Sequence, residues 1–205
     1  YDPQITQLAH FWKAEIALRQ NKTDQAITHL NAYLSGTAPV SGEANAQTAS
    51  YNLGYCLLKQ EKYTEALPYF ETAQRTSGPN AERIATDAAL RSGDCYYMLR
   101  QFPKAIELYD RIINNNAPGA DYASYQKAVI LGLQGKQGEK LALLKQLGNK
   151  FPSSGFTNET DMEIANTYLS QEKYTEAIPF LENVVQKQPN GVNAPRALLK
   201  LGLSY

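Results

Sequence analysis

Apolar residues recur at steps of three and four along most of this chain of 205 residues, which is the spacing of one face of an α-helix. Residues 5–19 show the pattern first, with Ile5, Leu8, Trp12 and Ile16 on one face. Short polar segments that contain glycine or proline interrupt the pattern. The spacing predicts an all-α chain with helices over residues 5–19, 26–34, 43–59, from 64, 80–99, 102–113, 121–133, 139–147, 160–171, 175–186 and 194–205.

A seven-residue segment, Gln-Glu-Lys-Tyr-Thr-Glu-Ala, occurs at residues 60–66 and again at residues 171–177. The offset of 111 residues is three times 37, and a period of that size is typical of a stacked helical repeat. Diverged copies lie between and before the two, and the equivalent positions are Thr23, Tyr63, Phe102, Gln137 and Tyr174. The pattern predicts one array over residues 1–205, with repeats at about 4–36, 43–77, 80–116, 119–150 and 157–189 and the first helix of a sixth at 193–205.

Each exact copy of the segment is followed by a proline, Pro68 or Pro179. Proline is tolerated in the first turn of a helix, where its missing N–H leaves no hydrogen bond unmade. We therefore interpret both prolines as markers of helix starts near Thr64 and Thr175, whose hydroxyls would cap the first turn.

The repeat resembles the tetratricopeptide family in four features. That family has a small residue in the first helix of each pair, here Ala14, Gly54, Gly93, Ala128, Ala165 and Gly202. It has an aromatic residue at the turn, here Tyr63, Phe102 and Tyr174, and an alanine in the second helix, here Ala26, Ala66, Ala105 and Ala177, with Lys140 in the fourth copy. A large apolar residue follows, here Leu30, Phe70, Tyr109, Leu144 and Leu181. The resemblance implies a right-handed α-solenoid of helical hairpins in which small residues let paired helices approach closely.

Composition and candidate chemistry change this picture little. The 20 basic and 20 acidic residues give a net charge of zero and no basic cluster for nucleic acid, and no apolar run has the ~20 residues of a membrane span. His10 and His29 stand without a third residue at catalytic or metal-ligand spacing. Cys56 and Cys95 occupy equivalent positions in neighbouring repeats, which indicates small core residues rather than a redox pair. We expect no enzymatic activity, no cofactor, no metal and no direct insertion into a membrane.

The resemblance implies a concave groove lined by the first helices, where a peptide segment or partner protein would bind. The residues predicted to line it are Phe11, Glu15, Arg19, Tyr51, Tyr55, Lys59, Asp94, Tyr97, Met98, Tyr122, Tyr125, Val129, Met162 and Asn166. Tyrosine and methionine are typical of surfaces that recognise proteins. The alternative is that these side chains only pack between neighbouring first helices. We therefore predict a non-catalytic protein-interaction scaffold, or alternatively a sensing or regulatory module of a longer polypeptide with an effector domain.

Repeat steps of 35 to 40 residues and the segment 194–205 are similar to tetratricopeptide proteins of the Gram-negative envelope, such as the Tol-Pal-associated cell-division coordinator and the outer-membrane-assembly lipoprotein. This likeness implies a periplasmic or outer-membrane-associated protein, with the cytoplasm as the alternative. The last predicted helix has an apolar face without a partner helix, formed by Leu198, Leu199, Leu201, Leu203 and Tyr205. Because the ends of a solenoid need a polar cap, we expect either a longer natural chain or end-to-end self-association through this helix.

Overall fold

A computed structural model describes residues 2–36, 41–75 and 81–204 of the chain. Within these ranges it contains eleven α-helices: α1 Pro3–Arg19, α2 Thr23–Leu34, α3 Ala46–Lys59, α4 Tyr63–Arg75, α5 Ala81–Met98, α6 Phe102–Asn114, α7 Ala120–Leu133, α8 Gln137–Lys150, α9 Thr157–Leu169, α10 Tyr174–Lys187 and α11 Ala194–Ser204. Extended pairing in the same ranges is limited to an isolated bridge between Ser41 and Ala44. The all-α prediction is confirmed. Residues 37–40, the predicted helix start at residue 80 and Tyr205 lie outside the described residues.

The chain divides into two compact units, unit 1 from Tyr1 to Gly119 and unit 2 from Ala120 to Tyr205. Unit 1 contains three helical hairpins, α1–α2, α3–α4 and α5–α6. Unit 2 contains two hairpins, α7–α8 and α9–α10, followed by α11. Every hairpin predicted from the repeat is therefore present, whereas a single array over all 205 residues stays a prediction.

The two helices of each hairpin pack through a small residue and a large one that lies 16 positions later in the sequence. A Cβ atom on Gly54 would lie 3.0 Å from the ring of Phe70, and one on Gly93 would lie 2.6 Å from the ring of Tyr109. Both rings are 0% exposed. In the other copies an alanine takes the place of glycine and a fully buried leucine replaces the ring, as Leu30, Leu144 and Leu181. A small residue on the first helix is matched by a large residue on the second, so the space between the helices is filled without a steric clash.

The fourth copy keeps this packing although a lysine replaces its alanine. The stem of Lys140 lies against α7, since a Cβ atom on Gly132 would be 3.1 Å from the lysine Cδ. The ammonium group reaches Glu163 of α9, with Nζ 2.6 Å from Oε2, and the lysine side chain is only 11% exposed. A long side chain with an apolar stem can thus fill the position of an alanine when its charged end is paired.

The turns inside the hairpins share a backbone conformation that the sequence did not reveal. One residue of each turn has a left-handed φ between 56° and 74°, in order Asn21, Glu61, Arg100, Gly135 and Glu172. In the second turn the Lys62 N–H donates to the Leu57 carbonyl and the Glu61 N–H to that of Leu58, both at 2.9 Å. These are the two hydrogen bonds of a Schellman motif, which ends a helix. Glycine takes the left-handed position in one of these five turns.

The helix starts before the two prolines differ from the prediction. Helices α4 and α10 begin at Tyr63 and Tyr174, so Pro68 and Pro179 lie in the second turn rather than the first. Lys173 is the N-cap of α10 and makes no side-chain cap, so the capping role expected for Thr175 is wrong. Both helices nevertheless continue past the proline, whose side chain is exposed in each case.

Helix α3 begins at Ala46 rather than at Glu43. Asn45 has an extended backbone, and its side chain accepts a hydrogen bond from the Thr48 N–H at 2.9 Å. An asparagine in this position caps the first turn and so fixes where the helix starts. The bridge between Ser41 and Ala44 occupies the residues before it.

Candidate partner-binding surface

The first helices of unit 1 enclose a cavity of about 240 Å³, hereafter the α1–α3–α5 cavity. Its lining residues come from the three helices and from the segment before α3: Phe11, Glu15, Gly42, Glu43, Thr48, Tyr51, Asn52, Arg83 and Ile84. Phe11, Glu15 and Tyr51 belong to the predicted groove, and the structure brings them together. The sequence did not identify Glu43, Asn52 or Arg83 as part of the site, because helical periodicity in one repeat does not show which residues of the next repeat face it.

Two predicted groove residues are buried. Phe11 is 1% exposed, and its ring lies 5.3 Å from that of Tyr33 and 5.2 Å from that of Trp12, measured between centroids. Met162 is 7% exposed and belongs to the core of unit 2. Phe11 therefore forms the floor of the α1–α3–α5 cavity, and neither residue offers much surface to a partner. These two residues follow the alternative prediction, that the side chain only packs between helices. Helical spacing predicts the direction of a side chain but not how deeply it is buried.

A half-buried carboxylate marks one wall of the cavity. Asn52 donates from Nδ2 to Oε1 of Glu15 at 2.6 Å, which links α3 to α1. Burial raises the pKa of the Glu15 carboxyl, while Arg19 and the Asn52 hydrogen bond lower it and the nearby charge of Glu43 raises it. Desolvation disfavours the charged form of a carboxylate, and a hydrogen bond to the charged form favours it.

Beside the cavity, a hydrogen-bonded network joins α3, α5 and α6. The Tyr51 hydroxyl donates to Asp87, and Arg91 pairs with Asp87 at 3.3 Å and with Asp94 at 2.8 Å. The Tyr109 hydroxyl donates to Asp94 Oδ1 at 2.8 Å. Burial, and then the hydrogen bond to Asp87, raise the pKa of Tyr51 far above its usual range. Tyr51 and Asp94 were predicted as partner contacts. The Tyr51 hydroxyl is bonded to the next repeat, whereas the Asp94 carboxylate is bonded to Arg91 and Tyr109 of its own repeat. Arg91, the centre of the network, was not among the predicted residues.

The remaining predicted residues of unit 1 lie nearer the surface. The Tyr55 ring stacks on that of Tyr51 with centroids 6.3 Å apart, and the Lys59 ammonium lies 5.2 Å from the Tyr55 centroid. Met98 is 51% exposed. Tyr97 is half-buried against Phe102, and Arg19 and Lys59 are exposed. These remaining side chains are at least partly accessible on the first helices, but none of them lines the cavity.

In unit 2 the predicted residues lie on the first helices α7 and α9. Tyr122 and Tyr125 pack on Phe156, with ring centroids 5.5 Å and 5.9 Å apart. Val129 and Asn166 are half-buried. The Asn166 Oδ1 atom is buried and has no hydrogen-bond partner among the residues that the structure describes.

The reactive residue types give no sign of a catalytic centre in the described ranges. Cys56 and Cys95 are buried free thiols, and burial raises their pKa values to about 11 and about 12, which leaves little thiolate at neutral pH. His10 and His29 face each other with Nδ1 atoms 3.1 Å apart. No group of three His, Cys, Asp or Glu side chains suited to a metal ion occurs in this part of the chain. Nor does any helix described here have the length and hydropathy that crossing a bilayer requires.

Comparison with known proteins agrees with the repeated hairpin. Residues 45–117, which comprise α3 to α6, match the tetratricopeptide repeat family. The solved structure of YrrB, a tetratricopeptide protein with an unusual peptide-binding site, superposes with a TM-score of 0.63 over 90% of this chain and 87% of YrrB, at 22% identity. Residues 45–117 are tetratricopeptide repeats, and the chain as a whole has the fold of tetratricopeptide proteins. The hairpins pair a small residue on one helix with a large residue on the other, as the family resemblance implied.

Two curated relatives are similar in sequence. The outer membrane protein assembly factor BamD of Caulobacter vibrioides is 25% identical over 179 residues, which cover 76% of this chain and 58% of BamD. The response regulator aspartate phosphatase J of Bacillus subtilis is 29% identical over 114 residues, covering 53% of this chain and 31% of the phosphatase. The chain thus spans little more than half of the first relative and about a third of the second.

Proposed function

We propose that this tetratricopeptide chain is a non-catalytic scaffold that binds a peptide segment or partner protein on the face of its first helices. The α1–α3–α5 cavity carries the proposal, because it gathers three predicted groove residues from successive repeats around one concave site. Its lining combines aromatic rings with a few polar and charged groups, as binding sites commonly do. The peptide-binding site of the structurally similar YrrB supports the same use of the fold.

The proposed contact surface consists of the exposed and half-buried members of the predicted groove. In unit 1 these are Glu15, Arg19, Tyr51, Tyr55, Lys59, Asp94, Tyr97 and Met98, with the cavity residues Glu43, Asn52 and Arg83 added. In unit 2 they are Tyr122, Tyr125, Val129 and Asn166. Aromatic, methionine and arginine side chains are the types enriched in protein interfaces.

Peptides selected from a phage-displayed random library on the purified chain would test this proposal. Their affinities are then measured by calorimetry for the native chain, for Tyr55→Ala and for a control, Tyr174→Ala. Tyr174 is 47% exposed, lies on a second helix and is not among the proposed contact residues. We expect Tyr55→Ala to weaken binding by about tenfold or more, as for an interface hot spot, and the control to have almost no effect. Equal affinities for all three proteins would remove the first-helix face from the proposal.

The similarity to the response regulator aspartate phosphatase J favours a second candidate, a sensing or regulatory repeat module that acts on an effector domain in a longer polypeptide. Under this hypothesis the first-helix face binds a signal peptide or protein, and the effector domain responds. The full-length gene product decides between the two functions. An effector domain whose activity changes when a selected peptide binds would support the regulatory module.

We further propose a periplasmic or outer-membrane-associated location, with the cytoplasm as the alternative. The similarity to BamD supports the envelope. Fractionation of cells that express the tagged natural protein, with marker proteins for each compartment, tests the location. Recovery in the cytoplasmic fraction would contradict the envelope assignment.

End-to-end self-association through α11 is the remaining part of the proposal. Leu198, Leu199 and Leu203 are 55%, 67% and 75% exposed, and a Cβ atom on Gly202 would meet nothing within 4 Å. An exposed apolar face of this kind commonly marks a protein contact. Light scattering over a range of concentrations, compared with Leu199→Asp, tests it. A native chain that stays monomeric at every concentration would exclude this contact.

A further inference from the structure

This inference rests on the proposed interaction function and gives the chemistry of one contact in it. We propose that the α1–α3–α5 cavity receives the cationic side chain of a lysine or arginine from the partner.

The walls suit a long side chain with a charged end. Phe11 forms the floor, and Tyr51 contributes a second aromatic ring. The Tyr51 hydroxyl is bonded to Asp87, and its ring lies against Phe70 and Tyr55, so the ring is held in place. Aromatic rings attract cations electrostatically and also pack against methylene groups. A volume of about 240 Å³ has room for one side chain and not for a folded element.

The charges of the lining favour a cation. Glu15 and Glu43 supply two carboxylates, whereas Arg83 supplies one guanidinium. Glu15 is half-buried, while Glu43 and Arg83 are exposed. A charge that is partly removed from water is screened less than one at the surface, so Glu15 contributes most to the field inside the cavity. Asn52 orients the Glu15 carboxylate through the hydrogen bond to Oε1.

The environment of Glu15 supports this assignment. Burial raises the pKa of its carboxyl, and the charge of Glu43 adds to that effect, although Arg19 and Asn52 oppose it. A positive charge placed between the two carboxylates would reduce their repulsion and would offset part of the desolvation of Glu15. A ligand carboxylate in the same place would instead meet two negative charges, with Arg83 of the lining and Arg19 beside Glu15 as the positive charges that oppose them.

Three small probes separate the possible ligand types. They are the N-acetyl N-methylamides of lysine, of norleucine, which keeps the length of the stem without its charge, and of glutamate. Binding is followed by NMR through the side-chain amide signals of Asn52, which lines the cavity. We expect the lysine probe to bind weakly, with a Kd on the order of millimolar, and the other two probes to bind at least about fivefold more weakly.

Neutral variants of similar shape assign the effect to individual charges. Glu15→Gln should weaken the lysine probe by about fivefold or more, and Arg83→Gln should strengthen it, because it removes a competing positive charge. Glu71→Gln is the matched control: Glu71 is an exposed glutamate on α4 that does not line the cavity, and its replacement should change nothing. Circular dichroism checks that each variant is folded.

Opposite results would overturn the inference. Equal binding of the norleucine and lysine probes would show an apolar pocket, and preferential binding of glutamate that Arg83→Gln abolishes would show an anion site. Failure of all three probes to shift the Asn52 signals would also reject the cation pocket. None of these results removes the proposed function, since the selected peptides and Tyr55→Ala test the first-helix face independently. If the probes leave the Asn52 signals unchanged and the selected peptides bind Tyr55→Ala as tightly as the native chain, the function and the inference are rejected together.

Discussion

Two hairpins of unit 1 reach the same close packing as the hairpins of unit 2 with different residues, whereas α1–α2 has the alanine and leucine also found in unit 2. In unit 1, α3–α4 and α5–α6 pair Gly54 with Phe70 and Gly93 with Tyr109. In unit 2, α7–α8 and α9–α10 have alanine and leucine at the equivalent positions, Ala128 with Leu144 and Ala165 with Leu181, all 0% exposed. The comparison shows that the repeat preserves the combined volume of two side chains, and that either residue alone is free to vary if the other compensates.

The units also differ in a buried amide at the start of the first helix. Gln47 in unit 1 donates to the carbonyls of Ala73 and Ala81 at 2.8 Å and 3.0 Å. Asn158 occupies the equivalent position in unit 2, is 1% exposed, and has no hydrogen-bond partner for either amide atom among the described residues. Asparagine is one methylene shorter than glutamine, so its amide reaches less far. Unit 2 therefore contains a buried polar group of a kind that costs about 1–3 kcal/mol when unsatisfied.

The largest effect is expected where glycine lies under an aromatic ring. Gly93→Ala would place a Cβ atom 2.6 Å from the ring of Tyr109, and overpacking of this kind destabilises by about 1–3 kcal/mol. The free energy of unfolding in urea measures the change.

Gly148→Ala in unit 2 is the control for this substitution. A Cβ atom there would meet nothing within 4 Å, and alanine in a helix is favoured over glycine by about 1 kcal/mol. The two substitutions should therefore act in opposite directions. If Gly93→Ala were as stable as the native chain, steric exclusion would not be the reason that a glycine lies opposite the large ring.

A smaller effect is expected from exchanging the two amides. Asn158→Gln lengthens the side chain by one methylene and should stabilise unit 2 by about 1 kcal/mol, if the longer amide finds the carbonyl equivalent to that of Ala73. Gln47→Asn should destabilise unit 1, because it removes two hydrogen bonds to backbone carbonyls. Thermal unfolding of the two variants and the native chain measures both changes. Destabilisation by Asn158→Gln would mean that the position in unit 2 has no room for glutamine.

Much of the fold followed from the sequence because helical periodicity and the repeat are local properties. The positions of Ala66, Ala105 and Ala177, all 0% exposed, were predicted in this way. Contacts between different repeats were not predicted, since they depend on how far one hairpin is shifted relative to the next. This is why Arg83 and Asn52 were missed as cavity residues.

Two further differences from the sequence prediction concern how deeply one side chain is buried and how far another reaches. Phe11 was placed in the groove because spacing gives the direction of a side chain, whereas its 1% exposure depends on packing against α2. Lys140 departs from the family pattern, and only the structure shows its 2.6 Å ion pair with Glu163 on α9. Long-range partners of this kind have no signature in the local sequence.

The smallest effect is expected in the turns, where one hairpin of unit 2 differs from the hairpins of unit 1. The α7–α8 turn of unit 2 has Gly135 in the left-handed position at φ 74°, whereas the α3–α4 turn of unit 1 has Glu61 at φ 60°. A left-handed backbone costs roughly 1–2 kcal/mol for a residue with a Cβ atom, and glycine avoids this at some cost in the entropy of the unfolded chain. Glu61→Gly should therefore stabilise unit 1 by roughly 0.5–1 kcal/mol, and Gly135→Ala should destabilise unit 2 by about as much. Glu61→Gln, which keeps the Cβ atom and removes the charge, should leave the free energy of unfolding unchanged. If Glu61→Gln stabilised the chain as much as Glu61→Gly does, the strain would be electrostatic, and the difference between the two turns would not lie in the backbone.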